Sequence, residues 1–282
     1  LSPHDRPVFM LSLGRSGSTF VQRVLNAHPG LTVWGEHNGV ITPLARSVQR
    51  IAHDRRNRPY LNDGYDQRHE LIGPLADPST FTAWVGPFNS HSYVDAMRSF
   101  VRDLFAAEVP PSVRWGFKEI RYGREEAEFL RSLFPQARFI VLARRPAGQI
   151  RSRVRAWTKP GDYGDDLDPA ALGDRIGSFV DEWVGRYRQL TDFADAPAST
   201  ARLVGYEPFV ADRSRVDALF TFLDEQPPSA EAIERVFDRH ADITDNFDNW
   251  SPAQLERVDE AIAQQLTARP EVADLVARFG LG

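Results

Sequence analysis

Two short clusters in this 282-residue chain could do chemistry, and both are built for anions. The first is GRSGST at positions 14–19, where Gly14 and Gly17 let the backbone curl so that successive amide hydrogens face one point. Arg15 brings a cation to that point, and Ser16, Ser18 and Thr19 bring hydroxyl donors. The second is Arg144-Arg145-Pro146, with Ser152 eight positions after Arg144. Guanidinium forks match phosphate oxygens two at a time, so paired arginines closing a strand suit a polyanion. Ahead of the first cluster, Val8 to Leu11 is a continuous apolar run, the mark of a strand covered on both faces. Phe20, Val21, Val24, Leu25 and His28 recur at helical spacing behind the glycines. Strand, glycine turn, then helix is the order that puts a helix N-terminus and its partial positive charge behind a bound anion. The second cluster likewise follows a covered strand, Phe139 to Ala143, and opens a helix.

What these clusters lack narrows the chemistry. A nucleoside-triphosphate loop reads GxxxxGK[ST] and needs its lysine on the terminal phosphates. Here the cation stands inside the turn, ahead of the second glycine. A magnesium nucleotidase would close the later strand with an aspartate, and this chain closes it with two arginines. The residues therefore point to a polyanion bound without metal, and no metal-ligand cluster is evident in the sequence. There is no cysteine, which excludes disulfides, thiol catalysis and thiolate metal sites. The plain alternatives are a tight turn capped by serine and an arginine-rich solvated helix face. A net charge of −5 argues against a nucleic-acid or membrane surface, and makes a local arginine cluster a feature within an acidic whole.

Hydrophobic residues make up 42% of the chain, enough for a sizeable core, and no linker, repeat or low-complexity tract divides it. The pattern predicts strands near 7–13, 31–34, 113–118, 138–143 and 201–205 with helices between them. The expected fold is α/β: a three-layer, P-loop-like domain with a central parallel sheet flanked by helices, spanning residues 1–282 as one domain. No 18-residue apolar stretch and no signal peptide is visible, so a cytoplasmic protein is expected. Residues 53–70 and 159–169 break the pattern as polar, aromatic loops, the expected places for recognition of a second substrate.

Taken together, the clusters resemble the sulfotransferases that use 3'-phosphoadenosine 5'-phosphosulfate (PAPS). That family holds the 5'-phosphosulfate with a [KR]SG[ST]T loop, and Arg15 to Thr19 reads RSGST. Its second signature is a strand followed by R-x-P, with a serine eight residues after the arginine, both on the 3'-phosphate; Arg144 and Ser152 match. A further strand ending in Tyr-Glu is matched by Tyr206 and Glu207. The resemblance spans most of the chain in the family's order. It implies PAPS as donor, adenosine 3',5'-bisphosphate (PAP) as product, no metal, and transfer of a sulfuryl group to a hydroxyl acceptor, either a small molecule or a glycan. The family's C-terminal 3'-phosphate segment, often basic, is replaced at 242–250 by an acidic one.

Sulfuryl transfer needs a base for the acceptor proton and cations for the leaving oxygen. Glu36 is the candidate base: it follows LTVWG after the first helix, which in a parallel sheet brings it to the carboxyl ends of the strands. His28-Pro29 and Gly35-Glu36 resemble an arrangement found in tyrosylprotein and many bacterial sulfotransferases. His37 and His91 are the alternatives. Lys118, one of two lysines in the chain, closes the strand VRWGFKE, where the resemblance places a lysine near the sulfuryl oxygens. The expected site thus comprises Glu36, Arg15 and Lys118 as catalytic groups, with Arg15, Ser16, Gly17, Ser18, Thr19, Arg144, Ser152 and Tyr206 on the nucleotide. An atypical P-loop phosphotransferase and a non-catalytic nucleotide-binding protein are the competing readings.

Overall fold

The structure is a computed structural model that describes residues 2–48, 90–157, 169–197, 199–241 and 251–282. The chain runs β1 (Val8–Ser12), α1 (Ser18–Asn26), β2 (Leu31–Trp34), α2 (Ser90–Ala106), β3 (Arg114–Glu119), α3 (Arg124–Leu133), β4 (Arg138–Ala143) and α4 (Pro146–Trp157). It continues through α5 (Pro169–Ala194), β5 (Ala201–Gly205), α6 (Tyr206–Ala211), α7 (Ser214–Phe222), α8 (Ala230–Ala241), α9 (Pro252–Thr267) and α10 (Glu271–Arg278). All five strands fall where the hydrophobic pattern predicted them. They form one parallel sheet in the order β2-β3-β1-β4-β5.

Strand periodicity explains the layers. Phe9 and Leu11 point to one face, where they join Trp115, Phe117, Phe139 and Val141 and are covered from α2, α3, α4 and α5. Val8 and Met10 point to the other and pack with Ile140 and Leu142 beneath α1, α6, α7 and α8. Both faces are buried, so the central strands read as unbroken apolar runs instead of alternating. The helix after β1 lies on one face and the helix after β4 on the other. The two adjacent strands therefore open a crevice between their carboxyl ends, the place where α/β sheets bind ligands. Among the described residues, no helix is long and apolar enough to cross a membrane.

The sheet centre tolerates little added bulk. Gly116 of β3 stands opposite Val8, and a Cβ there would lie 1.9 Å from the Val8 carbonyl oxygen. Gly116→Ala must push β3 from β1. It is expected to destabilise by about 1–3 kcal/mol, the usual range for overpacking. A fall in the urea midpoint at unchanged m-value would show it.

Candidate active site

The glycine loop is held from below by a buried relay. Trp183 of α5 donates from Nε1 to Gln149 Oε1 at 3.0 Å, and Gln149 Nε2 donates to the Gly14 carbonyl at 2.8 Å. Both side chains are fully buried, so the relay fixes where the loop leaves β1. Arg15 then takes a left-handed conformation (φ 67°), and so does Gly17 (φ 83°), which caps α1. The arginine bears strain that the glycine avoids. Gly17 is also pressed by an aromatic ring: a Cβ would lie 2.2 Å from Tyr206 Cε2. The loop thus needs glycine at 17 for both backbone and space. The first amides of α1, which have no acceptor within the helix, follow at Ser18 and Thr19. Ser16 is fully buried and its hydroxyl has no hydrogen-bond partner among the described residues.

At the end of β3 two successive side chains point to opposite faces, and both are charged. Lys118 is buried, and its ammonium reaches Glu36 Oε1 at 2.8 Å, Thr19 Oγ1 at 3.2 Å and Ser18 Oγ at 3.5 Å. The sequence leaves Lys118 free to form a surface pair with a neighbouring glutamate. The pair with Glu36 exists, but on a buried lysine that also contacts the glycine loop. Glu119 is fully buried. Its Oε2 accepts the amides of His37 and Gly39 at 3.1 Å each, and its Oε1 accepts from the Ile120 amide at 2.9 Å and Arg121 Nη1 at 2.7 Å. Arg121 closes the circuit by standing 3.5 Å from Glu36 Oε2. Asn38 and Gly39 are both left-handed, φ 57° and 71°, so the Glu119 carboxylate pins a tight turn directly after Glu36. Burial pushes the Glu119 carboxyl upward, yet Arg121 and the three amides outweigh it and hold the group below the ordinary carboxylate value.

The second anion cluster meets the first. Arg15 Nε donates to Ser152 Oγ at 2.9 Å, which joins the loop after β1 to the helix after β4. Arg144 lies with its guanidinium 5.4 Å from the Tyr206 ring centre, and its Nε is buried without a hydrogen bond, 3.6 Å from Glu207 Oε1. Glu207 also accepts the Arg145 amide at 3.1 and 3.2 Å. The Tyr-Glu pair at the start of α6 therefore touches both clusters, Tyr206 on Gly17 and Glu207 on the arginines. Arg145 itself turns away, donating to the Leu281 and Gly282 carbonyls.

One cavity of about 510 Å³ lies among these groups. Arg15, Gly17, Ser18, Thr19, Glu36, Lys118, Arg144, Ser152 and Tyr206 all line it, so of the expected site residues Ser16 alone is off its wall. His37 faces inward, its ring 4.5 Å from that of Phe117 and 4.8 Å from that of Phe105, and does not line the cavity. Burial lowers its pKa, partly offset by Glu119. His28 accepts the Gly30 amide just past α1. The His91 side chain, the two loops at 53–70 and 159–168, and the acidic segment 242–250 lie outside the described residues.

A family model described as "Sulfotransferase family" matches residues 7–229, a span that includes every residue of the cavity wall. The chain belongs to the sulfotransferase family. Among solved structures, this sulfotransferase is similar to the sulfotransferase domain of the Synechococcus PCC 7002 olefin synthase. The two share 22% identity and a TM-score of 0.54 over 98% of this chain and 94% of that one. It is also similar to a sulfotransferase from Alicyclobacillus acidocaldarius, with 13% identity and a TM-score of 0.50 over 97% and 96% of the two chains. At these identities the likeness concerns the fold. No curated protein matches the chain in sequence.

The sequence marked neither Glu119 nor Gln149 as part of this site and gave Arg121 no role in it. Glu119 left one signal, an acid beside Lys118 at the end of the strand RWGFKE. Its lowered pKa makes a testable difference. Because the unfolded chain holds the Glu119 proton more tightly, stability present above the ordinary carboxylate value is lost as pH falls through the folded-state value. His37, also lowered, acts in the same direction at higher pH. The urea midpoint of the wild type should therefore fall on acidification, and Glu119→Gln should lower it at neutral pH and flatten its decline in the carboxylate range.

Proposed function

We propose that this sulfotransferase takes its sulfuryl group from PAPS and passes it to an acceptor hydroxyl, with Glu36 as base. The observation that carries the reading is the single cavity joining three things: a glycine loop at a helix N-terminus, the Lys118–Glu36 pair, and the Arg144–Ser152 cluster. PAPS has two anionic ends on one adenosine, and this wall offers two anion sites joined through Arg15 and Ser152. The volume suits a nucleotide-sized ligand. Arg144 Nε, buried without a hydrogen bond and 3.6 Å from Glu207 Oε1, is a donor that a 3'-phosphate oxygen would satisfy.

In this reading the loop, Ser18 and Thr19 hold the 5'-phosphate, and Arg144 and Ser152 the 3'-phosphate. The acceptor oxygen forms its bond to sulfur as the bond from sulfur to the 5'-phosphate oxygen breaks. The electron pair stays on that phosphate, and the product is PAP. Glu36 takes the hydroxyl proton. Lys118, between Glu36 and the loop hydroxyls, stabilises the charge that grows on the leaving oxygen, and Arg15, on the wall of the same cavity, assists it. Glu119 and Arg121 keep the turn and Glu36 in place, since a base acts only within hydrogen-bond reach of its proton.

PAP should bind much more tightly than AMP, and Arg144→Ala should weaken PAP binding at least about tenfold, the loss of one charge-assisted contact. Calorimetry decides this, and equal affinity for the two nucleotides refutes the donor. Turnover supported by ATP with magnesium and not by PAPS would favour the phosphotransferase instead.

Glu36→Gln should keep PAP binding, lower turnover by about 10²- to 10⁴-fold and lose the acid limb of the pH-rate profile. Lys118→Ala should lower turnover by roughly a hundredfold with a smaller effect on nucleotide affinity. Unchanged turnover in both variants, with chemistry shown to be rate-limiting, would remove these residues from the mechanism. A protein that binds PAP but sulfates no acceptor would be the binding module.

A further inference from the structure

A second concavity opens beside the first. It is a groove of about 810 Å³ between α1 and α8, and it shares Thr19 and Arg23 with the nucleotide cavity. On α1 its wall is Thr19, Gln22, Arg23 and Asn26, and on α8 it is Ala232, Arg235, Val236 and Arg239. Each set has the spacing of one helix face, so the groove lies along both helices instead of between two loop tips. Its walls carry three arginines and no carboxylate, in a chain whose net charge is −5.

None of the acids of α8, Glu231, Glu234 and Asp238, lines the groove. Glu234 is held by Arg213 at 3.1 Å, and Glu231 stands 3.8 Å from Arg235 outside the wall. Arg23 and Arg239 have no ion-pair or hydrogen-bond partner among the described residues. Gln22 and Asn26 are already committed, both donating to the Val33 carbonyl, at 2.8 and 3.0 Å. The groups left to recognise a ligand here are therefore the guanidinium ions.

The near end of the groove meets the Lys118–Glu36 pair. Thr19 accepts from Lys118, which pairs with Glu36, and the Gln22 amide lies against Gly35, the residue before Glu36. From Thr19 to Asn26 the helix rises about 10 Å. We propose that this groove binds the acceptor, and that the acceptor is an acidic molecule with a carboxylate, sulfate or phosphate about 10 Å from the hydroxyl that receives the sulfuryl group. The proposal rests on the reading of Glu36 and Lys118 as the transfer point. It assigns Arg235 and Arg239 to acceptor selection and gives them no part in holding the nucleotide.

The test compares two hydroxyl-rich probes, a hexasaccharide of alternating glucuronate and N-acetylglucosamine and the neutral hexamer of N-acetylglucosamine. Binding is followed by fluorescence anisotropy with and without saturating PAP, and PAP binding is measured separately by calorimetry. The acidic probe should bind wild type at least tenfold more tightly than the neutral one. Arg235→Glu/Arg239→Glu should abolish that preference while PAP affinity stays as in wild type. Both arginines lie on an exposed helix face, and circular dichroism with urea unfolding verifies that the variant is folded; Arg235→Gln/Arg239→Gln gives the same comparison without reversed charge. Equal binding of the two probes, or a preference that survives both double variants, overturns the proposal. So does a variant that loses PAP, because the arginines would then belong to the donor. Failure of wild type to bind PAP counts against the donor reading alone, and the probe preference without nucleotide still decides the groove.

Discussion

The site depends on two opposite charges that β3 carries side by side into the protein. Lys118 and Glu119 are successive residues, so the pleat sends one to each face, and neither is solvated well enough to stand alone. Each must find partners, and the partners they find define the site. Lys118 draws Glu36 and the hydroxyls of Ser18 and Thr19 to one point, while Glu119 draws the turn after Glu36 to another. Arg121 bridges the two carboxylates. The resulting circuit alternates cation and anion, which is how buried ionic groups avoid the cost of isolation.

The same logic governs the other half of the cavity. Gly14 and Gly17 let the loop bend, but bending alone does not aim it. Trp183 and Gln149 fix its root, Tyr206 presses on its crest, and Arg15 ties its side to Ser152. These contacts come from α4, α5 and the start of α6, elements far apart in sequence that the parallel sheet brings to one edge. The crevice between β1 and β4 exists because their helices leave on opposite faces, so the topology supplies the space and the side chains supply the charge.

Energy and function are coupled at this edge. Arg15 holds a left-handed conformation that costs a non-glycine residue, and Glu119 pins two further left-handed positions. Such strain persists when surrounding contacts over-determine it, and here Ser152 on the cavity wall and the buried Glu119 supply those contacts. The cavity wall is therefore braced by contacts within the protein itself.

Much was legible from the chain by itself. Unbroken apolar runs marked β1 and β4 because both faces of these central strands are covered, and the glycine loop and the arginine-closed strand marked the two anion clusters because local spacing encodes them. Glu36 and Lys118 could be named from their places after β2 and in β3. Their distance could not, since a pair 82 positions apart meets through strand order and not through spacing. Nor did the sequence separate Glu119 from an ordinary surface acid, His37 from a candidate base, or Gln149 from a solvated helix face. Those roles follow from burial and from which backbone amides the fold leaves in reach. The sequence alone determined which groups could bind an anion, and the tertiary structure decided which of them meet, because contacts between distant segments are set by how the layers pack around the sheet.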